Sequence, residues 1–306
     1  MDYNKNSGYG LLNAIGMFSG KNSGGWTYGK NLYVLKSTDT DNYDRISQIQ
    51  TGDNEGSTRL FNTVTAALAV AQDNDRIFVG PGVYDEAAEL VISQAGLKLI
   101  GFNTSGIEWG PCSLKQSSAN HHVISVQANG VEIANLGFIV NGAYRAIEID
   151  HTAAVYKTHI HDCHFGGSAT ATYGVYAGGT FDAVDTVIED CEFLAWATAG
   201  VYLNATRSKV RRNVFFVPAA GIGIQYVPNG ADRPYNVITD NDIAGANSTD
   251  TGIQLDGTPT AGTVQISRNF IAGCATTITQ HTTGDTTGAN NYAASATGGT
   301  LIDMQA

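Results

Sequence analysis

Acids, a histidine and two arginines recur at equivalent positions of a repeated segment, and these residues are the best suited in the chain to acid–base chemistry. The set comprises His161, Asp162, Glu189, Asp190, Arg211 and Arg212. Two carboxylates held close together can take different protonation states, so that one serves as an acid and the other as a base or nucleophile. An arginine beside them can stabilise an oxyanion. We therefore predict that any catalytic site lies on these residues.

The elements that must position these residues are short strands that return at regular intervals. Five copies read apolar, two variable residues, Asn or Cys, one variable residue and a large apolar residue, at 158–165, 186–193, 208–215, 236–243 and 264–271. The central apolar residues recur every 22 to 28 residues, at Ile133, Ile160, Ile188, Val210, Ile238 and Ile266. A period of that length is typical of a solenoid, in which each structural unit stacks on the one before it.

A second short strand with alternating apolar residues follows most copies of the first. Two or three strands per repeat, without a helical period between them, predict an all-β fold, a right-handed single-stranded parallel β-helix. Side chains alternate between the faces of a strand, so Asn213, Asn241 and Asn269 should form an inward ladder. Cys163 and Cys191 occupy the same column, and we expect free buried thiols because the strand spacing does not suit a disulfide.

The coils resemble those of the pectate-lyase-like superfamily of right-handed β-helices, which includes polysaccharide lyases, pectin methylesterases, polygalacturonases and many phage tailspikes. Residues 77–86 resemble the first coil of that superfamily, and the resemblance covers about residues 30–280. It implies that Asp162, Asp190 and Arg212 could act as the two Asp and the Arg of pectin methylesterases do. It also implies calcium as a cofactor if the protein is a lyase, although no clear lyase signature is present.

The acidic and basic columns also have a purely structural explanation, and both interpretations stay open at this point. Asp162 and Asp190 fall at the bend of a coil, where Asp is favoured because it tolerates unusual backbone angles. Alternation of Asp and Arg down a ladder is also what charge pairing selects. His159, His161 and His164 are close in sequence, but their spacing brings at most two ligands together, so we predict no metal site.

A second outward column carries aromatic residues together with polar ones. Its members are Glu148, Tyr176, Tyr202 and Gln254. An exposed aromatic row can stack against sugar rings or pack against another subunit. We favour the subunit contact and keep the glycan contact as the alternative.

The chain divides into three segments by composition and periodicity. Residues 1–32 are rich in Gly, Asn, Ser and aromatic residues without any period, and we predict an assembly or attachment arm there. Residues 33–281 form the β-helix, and 282–306 are a Thr/Ala/Gly-rich carboxyl-terminal tail. A capping helix is predicted near 59–71, with Ser57 and Thr58 as candidate N-caps.

The overall charge restricts the partners that this chain can have. With 17 basic and 28 acidic residues the net charge is −11, which argues against nucleic acid. No apolar run is long enough to insert into a bilayer, and the amino terminus does not read as a secretory signal. We therefore predict a virion structural protein of a tailed phage or similar virus.

In that prediction the protein is a homotrimer that decorates the capsid or forms a short spike, attached to other virion proteins through its arm. Host surface polysaccharide is its candidate ligand, and no cofactor is required. The alternative is an extracellular polysaccharide-active enzyme of the lyase, pectin-esterase-like or glycoside hydrolase kind. The sequence leaves enzyme status undecided and favours a protein without catalysis, because 306 residues are few for a tailspike that carries a depolymerase.

Overall fold

The computed structural model is a right-handed parallel β-helix in which three long sheets run along one coil. The structure describes residues 29–36, 59–102, 112–116, 121–149, 153–179, 181–227, 235–246, 249–256, 264–279, 286–289, 291–294 and 301–303. Most coils contribute one strand to each sheet, and nearly all neighbouring strands pair in parallel. Within the described residues, no helix has the length and apolar character needed to cross a bilayer.

The strands of the described residues form four sheets. Sheet A contains, in spatial order, β2 (Leu60–Phe61), β1 (Asn31–Val34), β3 (Arg76–Val79), β6 (Lys98–Gly101), β9 (Glu132–Ala134), β13 (His159–His161), β17 (Val187–Glu189), β21 (Lys209–Arg211), β24 (Asn236–Thr239), β27 (Val264–Ser267) and β30 (Thr286–Ala289). Sheet B contains β4 (Gly82–Glu86), β7 (Cys112–Gln116), β10 (Gly137–Ile139), β14 (His164–Gly166), β18 (Glu192–Leu194), β22 (Val214–Val217), β25 (Asp242–Gly245), β28 (Phe270–Ala272), β31 (Tyr292–Ala294) and β32 (Leu301–Asp303), the last of which is antiparallel. Sheet C contains β5 (Leu90–Ile92), β8 (Ile124–Val126), β11 (Arg145–Ile149), β15 (Tyr173–Ala177), β19 (Ala199–Leu203), β23 (Ile222–Tyr226), β26 (Thr251–Leu255) and β29 (Thr276–Thr279). The small sheet D contains β12 (Val155–Tyr156), β16 (Ala183–Val184) and β20 (Ala205–Thr206).

The register confirms the periodicity read from the sequence. Strand pairing places the six central apolar residues Ile133, Ile160, Ile188, Val210, Ile238 and Ile266 in one buried column of sheet A. On sheet B, Phe138, Phe165, Phe193 and Phe215 stack inside the coil with ring centroids 4.5 to 4.9 Å apart. The core is therefore continuous along the solenoid, with each coil packed on the next.

The inward asparagine ladder is also confirmed, and it is one step longer than predicted. The side-chain oxygen of Asn241 accepts from the backbone and side-chain N–H groups of Asn213 at 3.1 and 3.0 Å. The side-chain oxygen of Asn269 accepts from the same two groups of Asn241, and that of Asn291 accepts from those of Asn269. Each amide thus satisfies buried polar groups of the preceding bend. Cys163 and Cys191 continue the column as free buried thiols.

A short helix lies where a longer one was predicted. Helix α1 (Val64–Leu68) begins after Thr63, whose hydroxyl oxygen accepts from the Ala66 N–H at 3.1 Å. The Glu86 carboxylate accepts from the Val64 N–H at 3.0 Å and the Thr65 hydroxyl at 2.6 Å. Residues 59–71 are not one helix, because Leu60–Phe61 pairs with β1 instead. The candidate caps Ser57 and Thr58 lie outside the described residues.

The ends of the β-helix differ from the predicted segment boundaries. β1 begins at Asn31, inside the segment assigned to the arm, and residues 1–28 lie outside the described residues. At the other end, β30 pairs with β27 and β31 pairs with β28. Both strands fall within 282–306, so sheets A and B extend into the segment predicted as a tail.

Candidate functional site

The six residues predicted for catalysis meet on the outward surface where sheet A ends. His161, Glu189 and Arg211 are the last residues of β13, β17 and β21, and they are partners in register. Asp162, Asp190 and Arg212 follow them with φ of 53°, 54° and 55°, in the left-handed region that Asp tolerates better than most residues. The second column is thus set by the bend of the coil, as its structural explanation requires.

Glu189 is the centre of this group. Its carboxylate accepts from Arg211 Nε at 2.5 Å, Arg212 Nη2 at 2.8 Å and His159 Nε2 at 2.9 Å. Its side chain is only 11% exposed, and burial alone would raise its pKa. The hydrogen bonds and charges of these partners outweigh burial and lower the pKa of Glu189 to about 2. Glu189 is therefore a fixed anion at neutral pH and does not serve as a proton donor.

The neighbouring groups are paired in the same manner. Arg212 donates to both carboxylate oxygens of Asp190, at 2.9 and 2.7 Å, and this raises the pKa of Arg212. His161 places one ring nitrogen 2.7 Å from Asp162 and the other 3.4 Å from Glu132. We call the set Glu132, His159, His161, Asp162, Glu189, Asp190, Arg211 and Arg212 the sheet A ladder. Its contacts favour charge pairing over acid–base catalysis.

The three histidines at 159–164 do not converge. The rings of His159 and His161 lie 4.3 Å apart on sheet A. His164 lies on β14 in sheet B, where its Nδ1 is 2.8 Å from Glu192. The bend between the two sheets therefore separates the third histidine from the first two.

A different set of polar and aromatic residues lines the outward surface of sheet C. Register places Glu148, Tyr176, Tyr202, Gln225 and Gln254 in one column, which we call the sheet C row. Four of its members were predicted from the sequence, and Gln225 is the addition. The column runs along the solenoid, so a ligand on it would lie parallel to the coil axis.

The middle of the row is a stack of rings. The Arg145 guanidinium carbon lies 3.6 Å from the centroid of Tyr176, whose other face stacks on Tyr202 at 4.2 Å and 10°. Tyr173 meets Tyr202 edge-on at 5.5 Å. Both faces of Tyr176 are thus covered, whereas the second face of Tyr202 is directed along the column toward Gln225. Burial raises the pKa of Tyr202 and of Tyr173, so both phenols stay protonated and can donate.

Two amides held by one carboxylate form one end of the row. Gln225 Nε2 donates to Asp256 Oδ2 at 2.6 Å, and Gln254 Nε2 donates to Asp256 Oδ1 at 2.7 Å. The Gln225 amide oxygen is buried and has no hydrogen-bond partner in the described structure. A buried acceptor without a donor is costly and is uncommon in proteins, so a donor that reached this oxygen would stabilise this end of the row.

Charged residues form the other end, which we call the charged end: Glu89, His122, Arg145 and Glu148. Glu148 is almost fully buried and pairs with Arg145 Nη1 and, at 3.2 Å, with His122 Nε2. The Arg145 backbone N–H donates to His122 Nδ1 at 3.1 Å, which leaves the ring proton on Nε2, facing Glu148. One carboxylate oxygen each of Glu89 and Glu148 and one His122 nitrogen all lie within 4.8 Å of one another.

This geometry opposes a metal ion at the charged end. A histidine that binds a metal usually donates its other ring N–H to an acceptor. Here the other ring nitrogen, Nδ1, already accepts from the Arg145 backbone N–H and carries no proton. To bind a metal, Nε2 would have to lose the only ring proton. The arrangement suits the pairing of Glu148 with Arg145 and His122 more than a metal centre.

Sequence reasoning missed most of the groups around the row, namely Glu89, His122, Arg145, Tyr173, Gln225 and Asp256. One of them carried a signal. In five coils a small residue stands two positions before the row: Ala146, Gly174, Gly200, Gly223 and Gly252. Gly223 therefore carried the signal that places Gln225 in the column. The others approach from flanking positions that no periodicity marks.

Comparisons with known proteins identify the family and the fold. A family model described as "Protein of unknown function (DUF1565)" matches residues 50–301, and the chain therefore belongs to that family. The deglycosylated pectin methylesterase from Aspergillus niger is similar in structure, with a TM-score of 0.53 and 12% identity over 89% of this chain and 87% of that one. Another form of that enzyme gives a TM-score of 0.52 and 14% identity over 81% of this chain and 90% of that one.

An alginate lyase from a Paenibacillus species has a TM-score of 0.49 and 10% identity, over 86% of this chain and 95% of that one. No curated protein matches the sequence. At such identities the likeness to the pectin methylesterase concerns the fold. It confirms the right-handed parallel β-helix that the repeats indicated.

Proposed function

We propose that this member of the DUF1565 family binds a polysaccharide along the sheet C row, as a structural component of a virion. The observation that carries the glycan part is the row itself, with stacked tyrosines between Arg145 and two oriented amides. Five coils at a spacing of about 4.8 Å give it a length of about 19 Å, which suits an extended ligand. Aromatic residues with polar tips provide both apolar and hydrogen-bonding contact.

The test is direct binding of purified protein to polysaccharides, measured by calorimetry or on a glycan array. Tyr202→Ala should lower the affinity at least tenfold, because it removes the ring face directed toward Gln225. Tyr156→Ala is the matched control, since Tyr156 is an exposed tyrosine on sheet D. The proposal fails if no polysaccharide binds, or if Tyr202→Ala binds as tightly as the Tyr156→Ala control.

We also propose that the chain forms a homotrimer, and the outward surface of sheet B supports this. Its outward columns carry Val214, Phe216, Phe270 and Tyr292, which are 37% to 48% exposed. Large apolar side chains exposed together mark contact surfaces, and a second copy of the chain is the partner we propose. Phe216→Lys should convert the trimer to a monomer, and light scattering measures the mass of the protein in solution. A wild-type chain that is monomeric at micromolar concentration would remove this part of the proposal.

The virion part has its own test, which is detection of the chain by mass spectrometry in purified particles of the virus that encodes it. Deletion of residues 1–28, which precede the described β-helix, should leave the fold intact and abolish incorporation. Incorporation of the shortened chain at the wild-type level would contradict an attachment arm.

The charged end favours a second candidate, hydrolysis of the bound glycan. The carboxylate oxygens of Glu89 and Glu148 lie within 4.8 Å of each other. Enzymes that hydrolyse glycosides with retention hold two carboxyl groups about 5 Å apart, one as acid and one as nucleophile. In this candidate Glu89 and Glu148 would be catalytic, and Arg145 and His122 would position Glu148.

Release of reducing ends, unsaturated products and ester groups from bound polysaccharides tests the second candidate. Glu148→Gln should abolish any release of reducing ends, whereas Asp190→Asn should not. Loss of activity in Asp190→Asn and Arg212→Ala, with Glu148→Gln still active, would return the site to the sheet A ladder. No release from any polysaccharide would leave binding as the function.

A further inference from the structure

The charges around the sheet C row indicate which class of polysaccharide it accepts, an inference that rests on the proposed glycan-binding function. We infer that the row takes an uncharged polysaccharide and discriminates against one that carries carboxylates. Three carboxylates, those of Glu89, Glu148 and Asp256, lie along this face together with the guanidinium of Arg145. The formal charge of these four groups is −2, on a chain whose formal net charge is −11. A polyanion is repelled both on approach and in contact.

Arg145, the arginine at the row, is already engaged. Recognition of a carboxylate commonly uses an arginine that donates two parallel hydrogen bonds. Arg145 donates to Glu148 and lies over the ring of Tyr176, with its guanidinium carbon 3.6 Å from the centroid. A uronic acid that took Arg145 would have to displace Glu148, which is almost fully buried, and would leave that carboxylate without its arginine. Among the described residues, Arg145 is therefore not available to pair with an acidic sugar.

The groups that remain match hydroxyls. The buried oxygen of Gln225 has no donor in the described structure, and a sugar hydroxyl that reaches it can donate whereas a carboxylate cannot. The phenols of Tyr173 and Tyr202 stay protonated and can donate to ring or hydroxyl oxygens. The Asp256 carboxylate holds the two glutamine amides, and towards a ligand it can act only as a hydrogen-bond acceptor. Neutral sugars offer both roles on every residue, so they satisfy this face without bringing a charge.

The experiment compares polymers that differ in charge and little else. Polygalacturonan and its methyl ester share one backbone, and dextran, galactomannan and alginate complete the panel. We expect the methyl ester or a neutral polymer to bind at least tenfold more tightly than polygalacturonan and alginate at low salt. Raising the ionic strength should strengthen binding of the two polyacids and leave the neutral polymers unchanged, because salt screens repulsion.

A matched pair of variants separates local charge from net charge. Asp256→Asn and Asp240→Asn each remove one negative charge, but Asp240 lies at a bend after sheet A, paired with Arg268. Asp256→Asn should reduce the discrimination against polygalacturonan at least threefold, and Asp240→Asn should leave it unchanged. Equal effects of the two variants would overturn the inference, because the preference would then follow net charge.

The remaining outcomes separate the inference from the function on which it rests. Tight binding of polygalacturonan or alginate at low salt, with weaker binding of every neutral polymer, would overturn the inference and leave glycan binding intact. Binding of no polymer in the panel would overturn the proposed function itself. A preference for neutral polymers that Tyr202→Ala abolishes supports both.

Discussion

The outward surfaces of sheets A and C are built on the same register, yet they differ in how their polar groups are satisfied. On the sheet A ladder, acids meet bases within the chain: Glu132 meets Lys98, Glu189 meets Arg211 and Asp190 meets Arg212. On sheet C the acids outnumber the bases, and amides and phenols lie along an aromatic stack. The first surface pairs its charges within the chain, whereas the second carries an exposed aromatic stack and the Gln225 oxygen, which has no partner in the described structure. On the proposed function, stacking charged residues on neighbouring coils does not by itself make a site.

The strongest test of this comparison is to remove the carboxylate at the centre of the sheet A ladder. Glu189→Gln should lower the free energy of unfolding by about 2–4 kcal/mol, because two arginines and a histidine lose a nearly buried anion. Urea denaturation measures the change. Asp240→Asn, at an exposed pair, is the control and should cost less than about 1 kcal/mol. Equal effects of the two variants would show that the ladder has no special centre.

Acid should reveal the same centre without a mutation. The pKa of Glu189 is about 2 in the folded chain against an ordinary value of 4.5, so the folded state favours the carboxylate. The resulting stability is fully present above pH 4.5 and is lost as the pH falls toward 2. Unfolding followed from pH 6 to pH 2 should show a steep loss in the wild type and a shallower one in Glu189→Gln. Parallel curves would mean that Glu189 is not responsible.

The sequence predicted the columns of residues that a single kind of interaction determines, and it missed groups that several interactions bring together. The core columns follow from apolar alternation, and the asparagine ladder follows because a buried amide must bond its neighbours. The glycines before the sheet C row also have a packing cause. A Cβ at Gly174 would lie 2.6 Å from the Phe193 ring, and one at Gly200 would lie 2.7 Å from Phe215. These contacts join different strands of the coil, so no local pattern reports them.

The charged end could not have been assembled from sequence for a related reason. Glu89 and His122 lie before β5 and β8, in segments whose lengths vary from coil to coil. Their distance to Glu148 is set by the path of the chain between sheets B and C, which periodicity does not describe. By contrast, Asp162 and Asp190 stood out because they share a strict column, and the same column explains them as residues of the bend. The regular spacing therefore pointed to sheet A, the surface whose charged groups pair within the chain.

The outer aromatic stack should contribute less to stability than the centre of the ladder does. Tyr176→Ala removes the stacking on Tyr202 and the contact with Arg145, and should cost about 1–2 kcal/mol. Thermal and urea unfolding measure it, with Tyr156→Ala on sheet D as the control. If Tyr176→Ala costs as much as Glu189→Gln, the row would be a structural element, and the contrast between the two surfaces would weaken.

The smallest effect is expected at the far end of sheet A. Arg268 donates to both oxygens of Asp240 at 2.7 and 2.8 Å, but the two side chains are 58% and 37% exposed. Solvent screens such a pair, so Arg268→Gln should leave the midpoint of urea unfolding almost unchanged, with a smaller shift than any other variant proposed above. Glutamine keeps a long polar side chain at the left-handed bend, where φ is 55°, so the backbone cost is similar in both proteins. The midpoints of the wild type and the variant should converge in high salt, because salt weakens the pair only in the wild type. A midpoint that falls as far as that of Tyr176→Ala and stays low in high salt would mean that the exposed pairs also hold the coil bends, and that the whole column acts as one structural unit.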